Sequence, residues 1–158
     1  MEQQALRETL ARALAWTEAH VSFTQAADVP VALRGTTPQG FAYSPWQLLE
    51  HIRIALEDLV AFATSADYTH VRAWPDDYWP REAAPPDGDA WDRSVDAVRS
   101  ALARMQQLAT DPDVDLLAPV PTGRTGQTYL RALLLVLDHN AYHVGQLVAL
   151  RRALGAWD

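Results

Sequence analysis

The chain of 158 residues contains no cysteine. Disulfides, thiolate catalysis and cysteine-ligated zinc are therefore excluded, and any metal site must draw on His, Asp, Glu or water. Lysine is absent too, since all 13 basic residues are arginine. That rules out a lysine Schiff base. Basic charge is in deficit: 20 acidic residues give a net charge of −7. A surface of that sign opposes nucleic-acid binding, which needs a basic face. No apolar run reaches the roughly 18 residues of a membrane span. The first residues, Met-Glu-Gln-Gln-Ala-Leu-Arg-Glu, lack the basic and apolar regions of a signal peptide. A cytoplasmic location and no membrane partner are expected. Neither phosphate-cradling glycine motif occurs, and strand-like alternation does not persist.

What remains is helical. Hydrophobic residues make up 49% of the chain, enough for an ordered core in one domain over 1–158. Leu6, Leu10, Ala13, Leu14, Thr17 and Val21 recur at three- and four-residue steps, which predicts a first helix over 2–27. Glu8, Arg12 and Glu18 take its opposite face, and His20 is expected to be exposed or at an edge. A Pro- and Gly-rich connection follows over 28–43. Its lone Arg34 reads as a solvated surface residue or, less simply, as a group facing a pocket.

A second helix opens on Ser44-Pro45-Trp46-Gln47. Ser44 can cap, Pro45 suits the first helical position and Gln47 completes a capping box. Tyr43 and Leu48 are placed for a hydrophobic staple. Its buried side, through to about Thr64, is Leu48, His51, Ile52, Ala55, Leu59 and Phe62. Residues 65–90 carry four prolines and the aromatics Tyr68, Trp74, Tyr78 and Trp79, with His70 among them. Such a long aromatic loop serves as the wall of a site or as extra core over the bundle's end. A third helix, with Asp89 as its N-cap, runs to about Thr110 on the seam Trp91, Val95, Val98, Leu102, Met105 and Ala109. Prolines at 112, 119 and 121 mark the next connection.

The stretch Thr125 to Leu154 is the longest helical run. Arg151 and Arg152 suit its negative end, and Gly155 offers a stop. His139 and His143 lie four residues apart on one face, in a stripe with Ala132, Leu135, Val136, Gln146 and Leu150. Two readings are open for these histidines: core rings satisfied by hydrogen bonds, or ligands of a shared metal. His51 carries the same pair of readings, as core histidine or third ligand. The spacing matches the zinc-protease motif H-E-x-x-H, but Asn140 stands where its general base would be, so a metalloprotease is discarded. Four amphipathic helices imply an all-α four-helix bundle.

Two segments resemble the DinB-like (YfiT-like) superfamily. One is His139-Asn-Ala-Tyr-His143-Val-Gly145-Gln146 followed by Leu150-Arg151-Arg152-Ala-Leu-Gly155. The other is Ser44-Pro45-Trp46-Gln47-Leu48-Leu49-Glu50-His51. The resemblance implies a four-helix bundle with long crossover connections. It also implies a divalent metal, nickel or zinc, on His51, His139 and His143, with no catalytic residue assigned beyond the metal. Three neutral ligands leave an ion its charge and open positions. Gln146, Asp58 and Glu50 are candidates to hold the outer ring N–H groups. The implied activity is thiol S-transfer with a low-molecular-weight thiol. A hydrolase of a small substrate and a non-enzymatic stress-response binding protein are the alternatives. Family members occur as monomers and homodimers, and both are carried as expectations here.

Overall fold

A computed structural model describes residues 2–15 and 19–157. The described residues form four long helices and one short one: α1 Glu2–Leu14, α2 Phe23–Ala26, α3 Pro45–Thr64, α4 Ala90–Thr110 and α5 Tyr129–Ala153. Among them the extended pairing is a single bridge between Pro119 and Thr128. No described helix is long and apolar enough to cross a membrane. The chain is an all-α bundle.

The local signals act as written in the sequence. The Ser44 hydroxyl accepts from the Gln47 backbone N–H, and the Gln47 side chain accepts from the Ser44 backbone N–H. Thr128 caps α5 by accepting from the Arg131 N–H. Gly155 ends that helix at φ +68°, a conformation costly for any residue with a Cβ. The α4 seam is buried along its whole length: Trp91, Val95, Val98, Leu102, Met105 and Ala109.

Helix one departs from expectation. It stops at Leu14, and Phe23–Ala26 form a separate helix with its own Ser22/Gln25 capping box. Thr17 and Glu18 lie outside the described residues, and Val21 belongs to the connection. The buried edge of α1 is Arg7, Leu10 and Leu14, while Leu6 is exposed. Arg7 is buried because it donates to the carbonyls of Ala109, Asp111 and Val114, closing the carboxyl end of α4. Asp89 sits at the N-cap position of α4 without a capping hydrogen bond. Tyr43 stacks on Trp79, with centroids 3.8 Å apart.

α3 packs chiefly on α4 and α5, and α1 on α4. Consecutive helices α4 and α5 touch only lightly, so the connections cross the bundle. α3 therefore faces α5 on one side and α4 on the other. The 65–89 loop lies over the start of α3. There Ser44 Oγ donates to the Ala83 carbonyl and Gln47 Nε2 to the Pro80 carbonyl.

Candidate metal centre

α3 and α5 lie side by side, and their shared face brings three imidazoles together. His51 Nε2 lies 3.1 Å from His143 Nε2 and 3.2 Å from His139 Nε2. The ring centroids are 4.4–5.1 Å apart. His51 and His143 are buried, and His139 is half-buried.

The outer nitrogens fix the tautomers. His51 Nδ1–H donates to the Tyr78 carbonyl at 2.9 Å. His143 Nδ1–H donates to Gln146 Oε1 at 2.7 Å, and His139 Nδ1–H donates to Asn140 Oδ1 at 3.2 Å. Each acceptor is an oxygen that carries no proton. With Nδ1 protonated, all three Nε2 atoms present bare lone pairs to one another. A second proton on a ring would resolve the conflict only by charging it. Burial opposes that, pushing His51 down to about 4, with the charge of His139 adding to the effect against the Tyr78 hydrogen bond. Burial likewise pushes His143 to about 4, helped by the charges of His139 and His51. His139 is lowered by burial as well, against its bond to Asn140 and the charge of Asp138. Three neutral rings with converging lone pairs make a donor set that suits a divalent cation. Tetrahedral zinc with bonds of about 2.0–2.1 Å spaces its ligands about 3.3 Å apart, close to the separations found. The residues fit a divalent metal: these three histidines offer ligand atoms all within 4.8 Å of one another.

The long loop supplies one wall. Trp79 lies face to face on His51, centroids 3.9 Å apart and 2° from parallel, with Tyr43 on its other face. The Tyr78 carbonyl that orients His51 comes from the same loop, so the loop walls the site rather than merely covering the bundle. A cavity of about 450 Å³ opens beside the rings, bounded by Tyr43, Trp74, Trp79, Leu135, Asp138 and Tyr142. That volume suits a small molecule.

The sequence profile of the DinB superfamily matches residues 3–147. The chain belongs to the DinB superfamily. No curated protein and no solved structure matches it.

Within this DinB bundle the other expected groups fall in different places. Gln146 meets the His143 ring directly. Asp58 does not reach a ring; its oxygens accept from the hydroxyls of Tyr78, at 2.6 Å, and Tyr68, at 3.0 Å. It thereby anchors the residue whose carbonyl holds His51. Glu50 points to the other side of α3, where it meets Arg53 and Ser94. His20 is exposed, and His70 pairs with the Tyr68 hydroxyl rather than with the cluster. Arg34 is not a free surface residue. Its guanidinium lies over the Trp91 ring at 4.9 Å, donates to the Val29 carbonyl, and lines a separate cavity of about 550 Å³. That larger cavity holds no histidine, and its Arg99 is already paired with Asp96.

Two partners escaped the sequence reading. The Tyr78 carbonyl is a backbone group, which no side-chain pattern announces. Asn140 was visible only as the residue that breaks the protease motif.

Proposed function

We propose that this DinB-superfamily chain is a metalloenzyme that binds nickel or zinc and acts with a low-molecular-weight thiol as an S-transferase. The observation that supports it is the convergence of three Nε2 lone pairs beside an open cavity. A bound divalent ion would act as a Lewis acid, lowering the pKa of a thiol that shares it. The chain supplies no cysteine of its own, so the nucleophile must come from outside. Its residues bind and orient. Trp79 and Tyr43 give the incoming molecule an aromatic wall. Gln146 Oε1 is committed to His143, so its Nε2 donates to the Tyr142 oxygen at 3.1 Å. The Tyr142 proton is then free to hold an oxygen of the substrate at the cavity mouth.

A second reading, hydrolysis of a small ester or amide, has one observation in its favour. Asp138 lines the same cavity and places a carboxylate where a water could be deprotonated. The two separate in one assay. Tag-free protein loaded with nickel or zinc is mixed with an alkylating reporter and with a reporter ester, each with and without added thiol. The S-transferase reading expects reporter consumption only with both metal and thiol. Ester turnover independent of thiol overturns it in favour of the hydrolase. No turnover in any arm overturns both and leaves a binding protein.

A further inference from the structure

Apart from the three imidazoles, Asp138 is the one charged side chain among the described residues that line the cavity beside them. The chain has no lysine, and none of its described arginines borders this space. Asp138 is exposed, and no donor among the described residues reaches its carboxylate by hydrogen bond or ion pair. Glu50, Asp58 and Asp87, by contrast, each accept from a side-chain donor. Asp138 does not join the converging ligand atoms either, which come from histidines alone. Its influence on His139 is through charge. Aromatic rings make up most of the remaining wall. Trp79 spends both ring faces, one on His51 and one on Tyr43. Trp74 and Tyr142 are left open, 70% and 64% exposed. Tyr142 stands one helical turn beyond Asp138 on α5, so the phenol ring and the carboxylate share a face of that helix. Trp74 comes from the 65–89 loop and lines the same space. Open rings beside an unpaired carboxylate are the elements that recognise an organic cation. The ring faces attract positive charge, and the carboxylate accepts its N–H groups.

We propose that this cavity takes a flat aromatic molecule bearing an amine or amidine cation, its ring against Trp74 and Tyr142 and its N–H groups on Asp138. The inference rests on the S-transferase reading above and names the class of its second substrate. In that reading Asp138 moves no proton and sets charge instead. A divalent ion that shares a thiolate keeps one net positive charge, which the Asp138 carboxylate balances. The cation therefore enters a site of no net charge rather than a positive one. The planar ring suits the exposed indole and phenol, which pair with other rings in offset or edge-on contact.

The test titrates benzamidine and its neutral isostere benzamide into metal-free protein and into protein holding zinc and 2-mercaptoethanol. Bound zinc is measured in the same samples. Asp138→Asn should weaken benzamidine about tenfold in both forms, the effect of one charge-assisted contact at an exposed carboxylate, and leave benzamide affinity as it was. Trp74→Ala should weaken both molecules, by about three- to fivefold. The proposal is overturned by any of four results: no binding of benzamidine, no effect of Asp138→Asn, an Asp138→Asn effect as large on benzamide as on benzamidine, or full affinity after Trp74→Ala. Each counts whatever the zinc content. An intact Asp138 effect in protein that takes up no zinc would sink the metal reading and leave the cation site standing.

Discussion

Glu50 and His51 are neighbours on one helix, both buried, and they illustrate opposite uses of a buried polar group. Glu50 faces α4 in a closed network. Arg53 grips it with two hydrogen bonds of 2.7 and 2.8 Å, and Ser94 donates a third at 2.6 Å. Burial alone would raise its pKa, but the hydrogen bonds from Arg53 and Ser94 more than offset it and hold the carboxyl below its ordinary value. Every demand of that group is met from within the chain. His51 faces α5 with its Nδ1 satisfied and its Nε2 opposed by two more acceptors. A network complete in itself stabilises the fold. A network of three converging acceptors has the donor set to hold a divalent ion.

Breaking a ligand gives the largest effect. His143→Ala should abolish metal uptake, seen as the loss of any metal-induced rise in Tm. In the native protein, metal at a hundredfold excess over Kd adds about 2.7 kcal/mol. For a chain of this size that raises Tm by roughly 5–10 °C.

Acid comes next. Unfolded histidine titrates near 6.5, whereas His51 and His143 titrate at about 4 in the folded chain. Between those values the unfolded chain holds more protons. The metal-free protein should therefore lose stability as pH falls from about 6.5 to about 4, by on the order of a few kcal/mol, below which the histidine contribution is spent. Denaturant titrations across that range check it. The Glu50 side should add no loss until its own, lower range is reached.

Gln146→Leu sharpens the contrast, because it removes an orienting partner and leaves the ligands in place. Metal affinity should fall about 10–100-fold with Tm of the metal-free protein nearly unchanged. Competition against a chromophoric chelator reads it. Ser94→Ala is the mirror experiment on the closed side. It should cost about 1–2 kcal/mol in denaturant stability and leave metal affinity as it was. If Ser94→Ala weakened the metal as much as Gln146→Leu does, the two networks would not be separate.

Much of this division was legible in the sequence. The Ser44/Gln47 capping box fixed the start of α3 and so the face on which His51 lies. The i,i+4 spacing fixed His139 and His143. The two errors have physical causes. Leu10, Leu14 and Val21 keep helical spacing, which carries a predicted helix one through to residue 27. The Ser22/Gln25 box, identical in type to the one at Ser44, was the available sign of a new start. Side-chain polarity, the only guide in the sequence, places Leu6 inside and gives no reason to bury Arg7. Arg7 is buried by carbonyls more than a hundred residues away. The same limit hid the Tyr78 carbonyl and sent Asp58 and Glu50 to the wrong neighbours. Contacts between distant segments are set by packing, and their backbone partners leave no residue-type signature.

The proposed centre holds one ion on three imidazole nitrogens at once. X-ray absorption at the edge of nickel or zinc in tag-free, metal-loaded protein tests it most directly. The spectrum should show three imidazole-type nitrogen scatterers at about 2.0–2.1 Å. An ion surrounded by oxygen alone, or no retained ion at all, would contradict it.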